Sequence, residues 1–307
     1  MDYKVVSAAP HAVSPVTTQS IMRDVVISLS LTAILAVIAY GLTGLCLMAV
    51  CVAACVFFEW GYCKIVKKPL TTKDYSAVVT GLILALNLPS TLPLWMAIIG
   101  CFIAIIVVKQ LFGGLGQNFA NPAIVGRIAL MVSFATPMTT WMVDGVASAT
   151  PLATYHAGLA VPANLELLLY SVGGSMGEVS GLALILGGLY LVIRKVISPV
   201  IPLVYVATVG LFSLCLGQDP LFHMLAGGVL LGAIFMATDY VTSPITTKGR
   251  VIFAIGCGLF TMVIRCYSSY PEGTSFAILL MNLLTPLIDR ATMVHLNGIP
   301  KKGGANQ

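Results

Sequence analysis

Three polar segments interrupt an otherwise apolar chain, and each carries residue types that could do chemistry. The first, GGLGQNFANP, covers residues 113–122. Its glycines let the backbone approach a ligand closely, and Asn118 and Asn121 offer hydrogen-bond donors and acceptors. Pro122 suits the first turn of a helix whose N-terminal amides would face an anionic group. The alternative is a tight interhelical turn in which Asn121 caps the following helix.

The second segment, MVDGVASATPLA, covers residues 142–153 and predicts a turn followed by a hydroxyl-bearing stretch. The residues that define it are Asp144, Gly145, Ser148, Ala149, Thr150 and Pro151. The aspartate and glycine favour a turn, and the proline restricts the backbone of the threonine before it. Because its neighbours are small, the Thr150 hydroxyl is open to a bulky partner. The alternative is an ordinary loop that happens to contain a threonine.

The third segment, FMATDYVTSP at residues 235–244, places Thr238 and Asp239 at the end of an apolar run. Such a pair can cap a helix or contact a polar ligand, and an ionisable group at membrane depth is a candidate functional residue. At the edge of a membrane Asp239 would only be a solvated cap. Near the opposite end of the next run, Arg265 and Glu272 can form an ion pair, in either a structural or a functional role.

Composition decides which kind of element must position these segments. Of 307 residues, 58% are hydrophobic and 9% are charged, whereas soluble domains carry about 25% charge. This excludes a water-soluble enzyme and predicts a polytopic membrane protein. The net charge of +5 comes from dispersed lysines and arginines, which argues against nucleic-acid binding.

Long apolar runs predict about ten transmembrane helices in an all-α protein. The predicted spans are 27–42, 45–62, 76–88, 93–111, 122–136, 179–193, 199–217, 222–237, 251–265 and 274–288. Several are short for a bilayer and end in breakers, such as the Asn87-Leu88-Pro89-Ser90 run. Short, interrupted segments are typical of broken helices that end inside the protein, facing a ligand or cavity.

The distribution of basic residues predicts orientation and domain limits. With the N-terminus inside, all of the lysines and arginines except Arg265 fall on or near the inner side, Lys109 and Arg127 included. We therefore expect a cytoplasmic segment at 1–26, one membrane domain at 27–290, and a cytoplasmic tail at 291–307. The longest interruption, 137–178, becomes an outer loop. The first 25 residues lack the apolar core of a signal peptide.

The two halves of the membrane domain, about 27–136 and 179–290, resemble each other. The triplet IGC occurs at 99–101 and again at 255–257, and each copy is followed eight residues later by a basic residue. Equivalent spans run in opposite directions in the predicted topology. This is the pattern of a five-plus-five inverted repeat, with a site near the repeat interface.

The eight cysteines give little sign of a metal site. Six lie inside apolar runs and are expected to be small buried apolar groups: Cys46, Cys51, Cys55, Cys101, Cys215 and Cys257. The chain has no CxxC pair and no cysteine–histidine pair with metal-ligand spacing, so no metal site is predicted within it. A ligand to an intersubunit cluster stays open.

Four ordered motifs make the chain resemble a known family. GQNFANPAIVGR, DGVASATPLA, FMATDYVTSP and YPEGTSFAILLMNLLTPLIDR are similar to segments of the D subunit of the Rnf complex. That complex is an ion-translocating ferredoxin:NAD oxidoreductase of bacterial cytoplasmic membranes. A more distant relative is the B subunit of the sodium-translocating NADH:quinone oxidoreductase.

The resemblance implies FMN bound covalently to Thr150 through a phosphoester, attached by a separate flavin transferase. The family motif is similar to D-G-x-S-G-A-T, and this chain departs from it at Ala147 and Ser148. Ser148 is a weaker alternative acceptor. The resemblance also suggests a second, non-covalent flavin such as riboflavin in the membrane domain. It implies membrane, flavin and iron–sulfur subunits as partners, and a flavin-bearing loop on the outer face.

The expected function is an electron relay coupled to translocation of Na⁺ or H⁺, as one subunit of an oxidoreductase and not a complete enzyme. Candidate residues for the second flavin or an ion pathway are Asn87, Asn118, Asn121, Arg127, Thr238, Asp239, Arg265 and Glu272. The alternative is a urea- or ammonium-type channel or transporter without a redox role, since that architecture is similar. The DGVASATPLA stretch discriminates between them, because a channel has no reason to carry it.

Overall fold

The computed structural model describes residues 16–143, 146–171, 173–268 and 273–293. Most of these residues are helical. The α-helices are α1 (Thr18–Ile65), α2 (Ser76–Leu86), α3 (Leu94–Phe102), α4 (Pro122–Ser133), α5 (Ala135–Thr139), α6 (Pro151–His156), α7 (Asn164–Leu169), α8 (Gly181–Ile193), α9 (Val200–Cys215), α10 (Pro220–Leu225), α11 (Val229–Leu231), α12 (Thr247–Tyr267) and α13 (Thr274–Thr292). π-Helical stretches extend α3 over Ile103–Gln110 and α11 over Gly232–Met236.

The first two predicted spans are the two helical parts of α1, which are separated by a kink at Gly41. This glycine has φ 61° and ψ −142°, a conformation that glycine adopts without steric cost. The part before it packs on α8, and the part after it packs on α2 and α3. Residues on either side of the kink contact the 173–177 segment, since Tyr40 donates to the Gly174 carbonyl at 3.0 Å and Gly44 lies beside Met176.

The short third span ends where the sequence predicts, whereas the eighth span contains a break that the sequence analysis did not place. α2 has 11 residues and ends at Asn87. The predicted eighth span is divided into α10 and α11 by Gly227 and Gly228, with φ of 66° and 69°. By length and apolar composition, two of the described helices, α1 and α12, could cross a membrane, and five further apolar helices have 10–17 residues. The ten crossings and the inverted repeat stay predictions.

The 137–178 segment is more ordered than the predicted loop. It contains the end of α5, a hairpin of β1 (Trp141–Val143) and β2 (Val146–Ser148), α6, α7 and a 3-10 turn at Met176–Glu178. Trp141 pairs with Ser148 in the antiparallel register. The segment folds because it has its own apolar anchors, the buried side chains of Met138, Trp141, Leu152 and Leu167.

One prediction about buried residues needs correction. Cys46 and Cys215 are exposed on the protein surface, whereas the other four predicted cysteines are buried and all eight are free thiols. Helical periodicity turns these two outward, a distinction that an apolar run alone does not reveal. Lys109 and Arg127, which the predicted topology counts on the inner side, are both 2% exposed, and Arg265 is fully buried; the topology itself stays a prediction. These cations are satisfied within the protein.

Candidate functional site

The glycine-rich segment ends in a helix cap that also joins the two halves of the chain. Asn121 Oδ1 accepts hydrogen bonds from the amides of Ala123 at 3.0 Å and Ile124 at 3.4 Å, so the predicted cap of α4 is confirmed. The Asn121 side chain also donates to the Met236 carbonyl at 3.1 Å. The ends of α4 and of the α11 π-helical extension therefore meet at this residue.

A second cross-link between the halves is centred on Arg127. Its Nη1 donates to Asn87 Oδ1 at 3.1 Å and to Ser275 Oγ at 2.9 Å. Asn87 in turn donates to the Ile83 carbonyl at 2.7 Å, which ties the end of α2 to α4 and α13. Ser275 was missed by the sequence analysis, because a serine in the first turn of an apolar helix gives no signal of its partner.

Asp239 is partly buried, between the two outcomes that the sequence left open. Its Oδ2 accepts from Thr242 Oγ1 at 3.1 Å and from Asn118 Nδ2 at 3.3 Å. Thr238 donates instead to the Ile234 carbonyl of its own helix at 2.6 Å. Asp239 thus contacts the glycine-rich segment of the other half.

A cavity of about 110 Å³ lies between these segments. Its polar lining consists of Ser76, Thr80, Lys109, Asn118, Asn121, Thr238 and Asp239, and the rest is apolar except for Tyr240. Four of the predicted pathway residues therefore share one cavity. Asn87, Arg127 and Arg265 are not among its lining residues, and neither is any described residue of 137–178. The cavity and the Thr150 segment are separate places in the fold.

Lys109, which lines the cavity, belongs to a buried ion pair that the sequence analysis did not identify. Lys109 Nζ donates to Glu59 Oε2 at 2.9 Å and to Ser76 Oγ at 2.6 Å. Ser76 Oγ donates to Asp74 Oδ1, and Thr71 Oγ1 donates to Glu59 Oε1, both at 2.5 Å. Burying an ammonium group and a carboxylate is tolerable only with such additional hydrogen bonds.

Thr150 begins α6 as its N-cap. Its hydroxyl accepts a hydrogen bond from the Ala153 amide at 3.1 Å, and Pro151 occupies the first helical position. Thr150 is 5% exposed, whereas Ala149 before it is exposed. Of the other predicted motif residues, Ser148 ends β2. Asp144 and Gly145 lie outside the described residues.

α6 packs against the break between α10 and α11. Leu152 forms an apolar cluster with Leu167, Phe222 and Ala226. A methyl group added at Gly227 would lie 2.2 Å from Leu152 Cδ1 and 2.5 Å from Arg265 Nη2. Only a residue without a side chain allows this approach.

Arg265 stabilises the same break from the side of α12. Its Nη1 donates to the His223 carbonyl at 2.7 Å, and its Nη2 donates to the carbonyls of Ala226 at 2.7 Å and Gly227 at 3.2 Å. These carbonyls have no amide partner within the helix, because α10 ends here. The guanidinium therefore replaces helical hydrogen bonds. The predicted partner Glu272 lies outside the described residues, so that pair stays a prediction.

His223, on α10, is a further polar residue that the sequence analysis missed. It is 1% exposed, and neither ring nitrogen has a hydrogen-bond partner within the described residues. Its ring packs edge-on against Tyr155 of α6, with centroids 5.3 Å apart. A histidine inside an apolar run was the only available signal.

Comparison with known proteins identifies the family. The model of the NQR2, RnfD, RnfE family matches residues 5–297. The chain belongs to this family. It is 49% identical over 304 residues to the D subunit of the Na⁺-translocating ferredoxin:NAD⁺ oxidoreductase complex of Acetobacterium woodii, with 96% of each chain covered.

Two further relatives of the family agree. The D subunit of the proton-translocating ferredoxin:NAD⁺ oxidoreductase complex of Clostridium ljungdahlii is 42% identical over 310 residues, covering 94% of each chain. The D subunit of the ion-translocating oxidoreductase complex of Stutzerimonas stutzeri is 39% identical, covering 82% of each. The predicted resemblance to the Rnf D subunit is confirmed, as is the helical membrane-protein class.

Proposed function

We propose that this chain is the D-type membrane subunit of an ion-translocating ferredoxin:NAD oxidoreductase complex in a bacterial cytoplasmic membrane. The observation that carries the proposal is similarity along nearly the whole of both chains to the Acetobacterium woodii protein. The relatives' names include a sodium-translocating and a proton-translocating complex, so the proposed cargo is Na⁺ or H⁺. The electron donors and acceptors lie on partner subunits.

Within this subunit, the proposed redox group is FMN esterified to the Thr150 hydroxyl by a flavin transferase. When bound, FMN supplies one- and two-electron transfer, while the protein supplies binding and polarity. Thr150 is the tether, and Leu152 anchors α6 against Gly227 and Phe222. The buried, unpartnered His223 ring beside α6 supports the fit, because it leaves hydrogen-bonding capacity for a polar group.

The burial of Thr150 bears on how the flavin would be attached. The Thr150 hydroxyl is covered and already accepts a hydrogen bond from the Ala153 amide. A separate enzyme therefore cannot easily reach it to transfer FMN onto its oxygen. We therefore place attachment before α6 docks, or during a local opening of its first turn. Ends of short helices open at low free-energy cost.

The test is retention of flavin by the denatured chain. Protein made together with its flavin transferase is run on a denaturing gel and examined for flavin fluorescence. Thr150→Val should abolish the fluorescent band while the protein still inserts. The matched control is Thr154→Val, which removes a hydroxyl one helical turn away that donates only to the Pro151 carbonyl.

Two other results would change the attachment site or the proposed function. Fluorescence that survives Thr150→Val but is lost in Ser148→Ala would move the attachment site to Ser148. Absence of covalent flavin in the native protein would contradict the relay and favour the channel or transporter alternative, in which the cavity alone carries the function.

The cavity between the halves is the proposed place for ion passage or for a non-covalent flavin. Asp239, Asn118 and Asn121 offer a carboxylate and amide groups at its lining, which suit either a cation or a polar heterocycle. Moving one charge against about 100 mV costs about 2.3 kcal/mol, so ion access must be linked to electron transfer. Flavin released by mild denaturation would identify the heterocycle, whereas loss of ion uptake in Asp239→Asn with no released flavin would identify an ion path.

We also propose that both termini are cytoplasmic and that the Thr150 segment lies on the outer face. The support is the distribution of basic residues, which falls almost entirely on one side of the predicted topology.

A further inference from the structure

The His223 side chain is a buried polar group whose hydrogen bonds are unaccounted for. It is 1% exposed, and both ring nitrogens lack a partner within the described residues. Leaving a buried polar group without a hydrogen-bond partner is unfavourable. A histidine in this position therefore indicates a ligand that supplies the missing hydrogen bonds.

The surroundings of His223 indicate which form of the ring faces that ligand. The guanidinium of Arg265 is held against the His223 backbone carbonyl at 2.7 Å, and the aromatic rings of Tyr155 and Phe222 pack edge-on against the imidazole. A fixed neighbouring cation and apolar walls both disfavour a second positive charge. A neutral imidazole offers one donor and one acceptor, so its ligand must be able to accept and donate.

The ring also lies near the proposed attachment site. Tyr155, whose ring contacts His223, is five residues after Thr150 on α6, or about 7.5 Å along a helix. Tyr155 also stacks on Phe222, with centroids 5.1 Å apart at an interplanar angle of 27°. These contacts hold α6, and therefore Thr150, at a set distance from the imidazole.

We propose that His223 is the hydrogen-bonding partner of the flavin carried on Thr150, positioning the ring system and setting its reduction potential. This rests on the proposed function. The edge of an isoalloxazine combines N–H and carbonyl groups, which match a neutral imidazole. A hydrogen bond to that edge, with the Arg265 charge behind it, favours the electron-rich reduced form.

The experiment compares three variants of the flavin-loaded protein. His223→Phe removes both hydrogen-bonding atoms and keeps an aromatic ring, and His223→Gln keeps one donor and one acceptor. His156→Phe is the matched control, because His156 is an exposed histidine on the same aromatic cluster. The readouts are the reduction potential of the covalently bound flavin in the folded protein and the infrared carbonyl bands of its ring.

We expect His223→Phe to make reduction about tenfold less favourable, which is about 30 mV for a two-electron couple, and to shift a carbonyl band to higher frequency. His223→Gln should restore most of both signals, and His156→Phe should change neither. An unchanged potential and carbonyl spectrum in a flavin-loaded His223→Phe protein would overturn the proposal.

Stability separates a ligand contact from a structural role, including the case in which a variant loads poorly. In flavin-free Thr150→Val protein, His223→Phe should leave the melting temperature unchanged or raise it, because an unpaired polar group is replaced by an apolar one. In flavin-loaded protein, His223→Phe should lower the melting temperature. Equal destabilisation of both backgrounds would overturn the proposal. A native protein without gel-bound flavin would instead contradict the proposed function.

Discussion

At the scale of single residues, Thr150 combines a structural task with the proposed chemical one. Its hydroxyl accepts the Ala153 amide proton at the start of α6, and the same oxygen is the proposed ester oxygen. Esterification would weaken this oxygen as an acceptor while adding phosphate oxygens beside the helix end. Esterification of the Thr150 hydroxyl would therefore change the stability of the first turn of α6.

We predict that Thr150→Val frays the first turn of α6 in flavin-free protein. Removing a threonine N-cap typically costs about 1 kcal/mol, which corresponds to roughly a fivefold rise in the open fraction. Hydrogen exchange at the Ala153 amide should accelerate accordingly. Thr150→Ser keeps the acceptor oxygen and should stay close to the wild-type rate, and unchanged protection in Thr150→Val would show that the cap does not hold this turn.

The buried ion pair of Lys109 and Glu59 gives a second prediction at the residue scale. Lys109→Met leaves the Glu59 carboxylate buried without its cation, which costs about 3–5 kcal/mol. Thermal unfolding in detergent should show a marked loss of stability. The double variant with Glu59→Gln should recover much of it.

The matched control is Arg194→Met. Arg194 forms an ion pair with Asp24 at 3.1 Å, and the Arg194 side chain is 51% exposed. Its removal should cost at most about 1 kcal/mol. Equal losses from the two single variants would mean that the Lys109 pair is effectively solvated.

At the scale of elements, the break between α10 and α11 organises the Thr150 side of the molecule. Arg265 donates to carbonyls at the end of α10, and α6 packs into the gap left by Gly227. A continuous helix would present neither the carbonyls nor the gap.

Gly227→Ala should therefore destabilise the protein strongly. The alanine would adopt φ near 66° and clash with Leu152 and Arg265, so strain of about 1–2 kcal/mol adds to overpacking of about 1–3 kcal/mol. Gly217→Ala is the control, because Gly217 has φ 72° but nothing within 4 Å of an added methyl group. Similar unfolding temperatures for the two variants would contradict close packing at Gly227.

The cap of α10 predicts a small dependence of stability on pH. The Asn164 side chain donates to Asp219 Oδ2 at 2.7 Å, and this bond, with those from α10 amides, lowers the pKa of Asp219. A carboxyl whose pKa falls on folding stabilises the protein above its unfolded pKa of about 3.9, and this contribution is lost as pH falls through the lower folded value.

Asp219→Asn should accordingly flatten the acid limb of the stability curve below about pH 4. Because Asp219 is exposed, the change should stay below about 1 kcal/mol. Thermal unfolding between pH 3 and 6 measures it, and identical pH dependence in wild type and variant would contradict the role of this cap.

At the scale of the whole molecule, the two polar regions lie toward opposite ends of α2. Ser76 at its first residue contacts Lys109 at the cavity, while Leu88 just beyond its last residue accepts from the Met176 amide of the 137–178 segment. Eleven helical residues separate these ends by about 16 Å. On the proposed function, coupling between electron transfer near Thr150 and ion movement through the cavity would have to act over this distance.

Orientation in the membrane follows as a prediction. Lys73→Cys should react with a membrane-impermeant maleimide only in inside-out vesicles, and Leu159→Cys only in right-side-out vesicles. Both positions are exposed, near α2 and α6 respectively. The unmodified protein, whose exposed Cys46 and Cys215 lie within apolar helices, gives the background, and labelling of both variants from one side would contradict the topology.

The helices and their caps follow from the sequence because they depend on local pattern. The predicted spans 93–111 and 122–136 correspond to Leu94–Gln110 and Pro122–Ser133. The Asn121 cap needs only neighbours two and three residues away. The membrane class and the family are likewise determined by composition and motifs.

The tertiary structure alone decided which polar groups meet. Arg127 bonds to Ser275 148 residues away, Asn118 to Asp239 121 residues away, and Lys109 to Glu59 50 residues away. Such pairs depend on how helices pack, which hydropathy does not specify. For the same reason, only the packed fold distinguished a histidine with satisfied nitrogens from His223, whose unpaired ring lies beside the Thr150 helix.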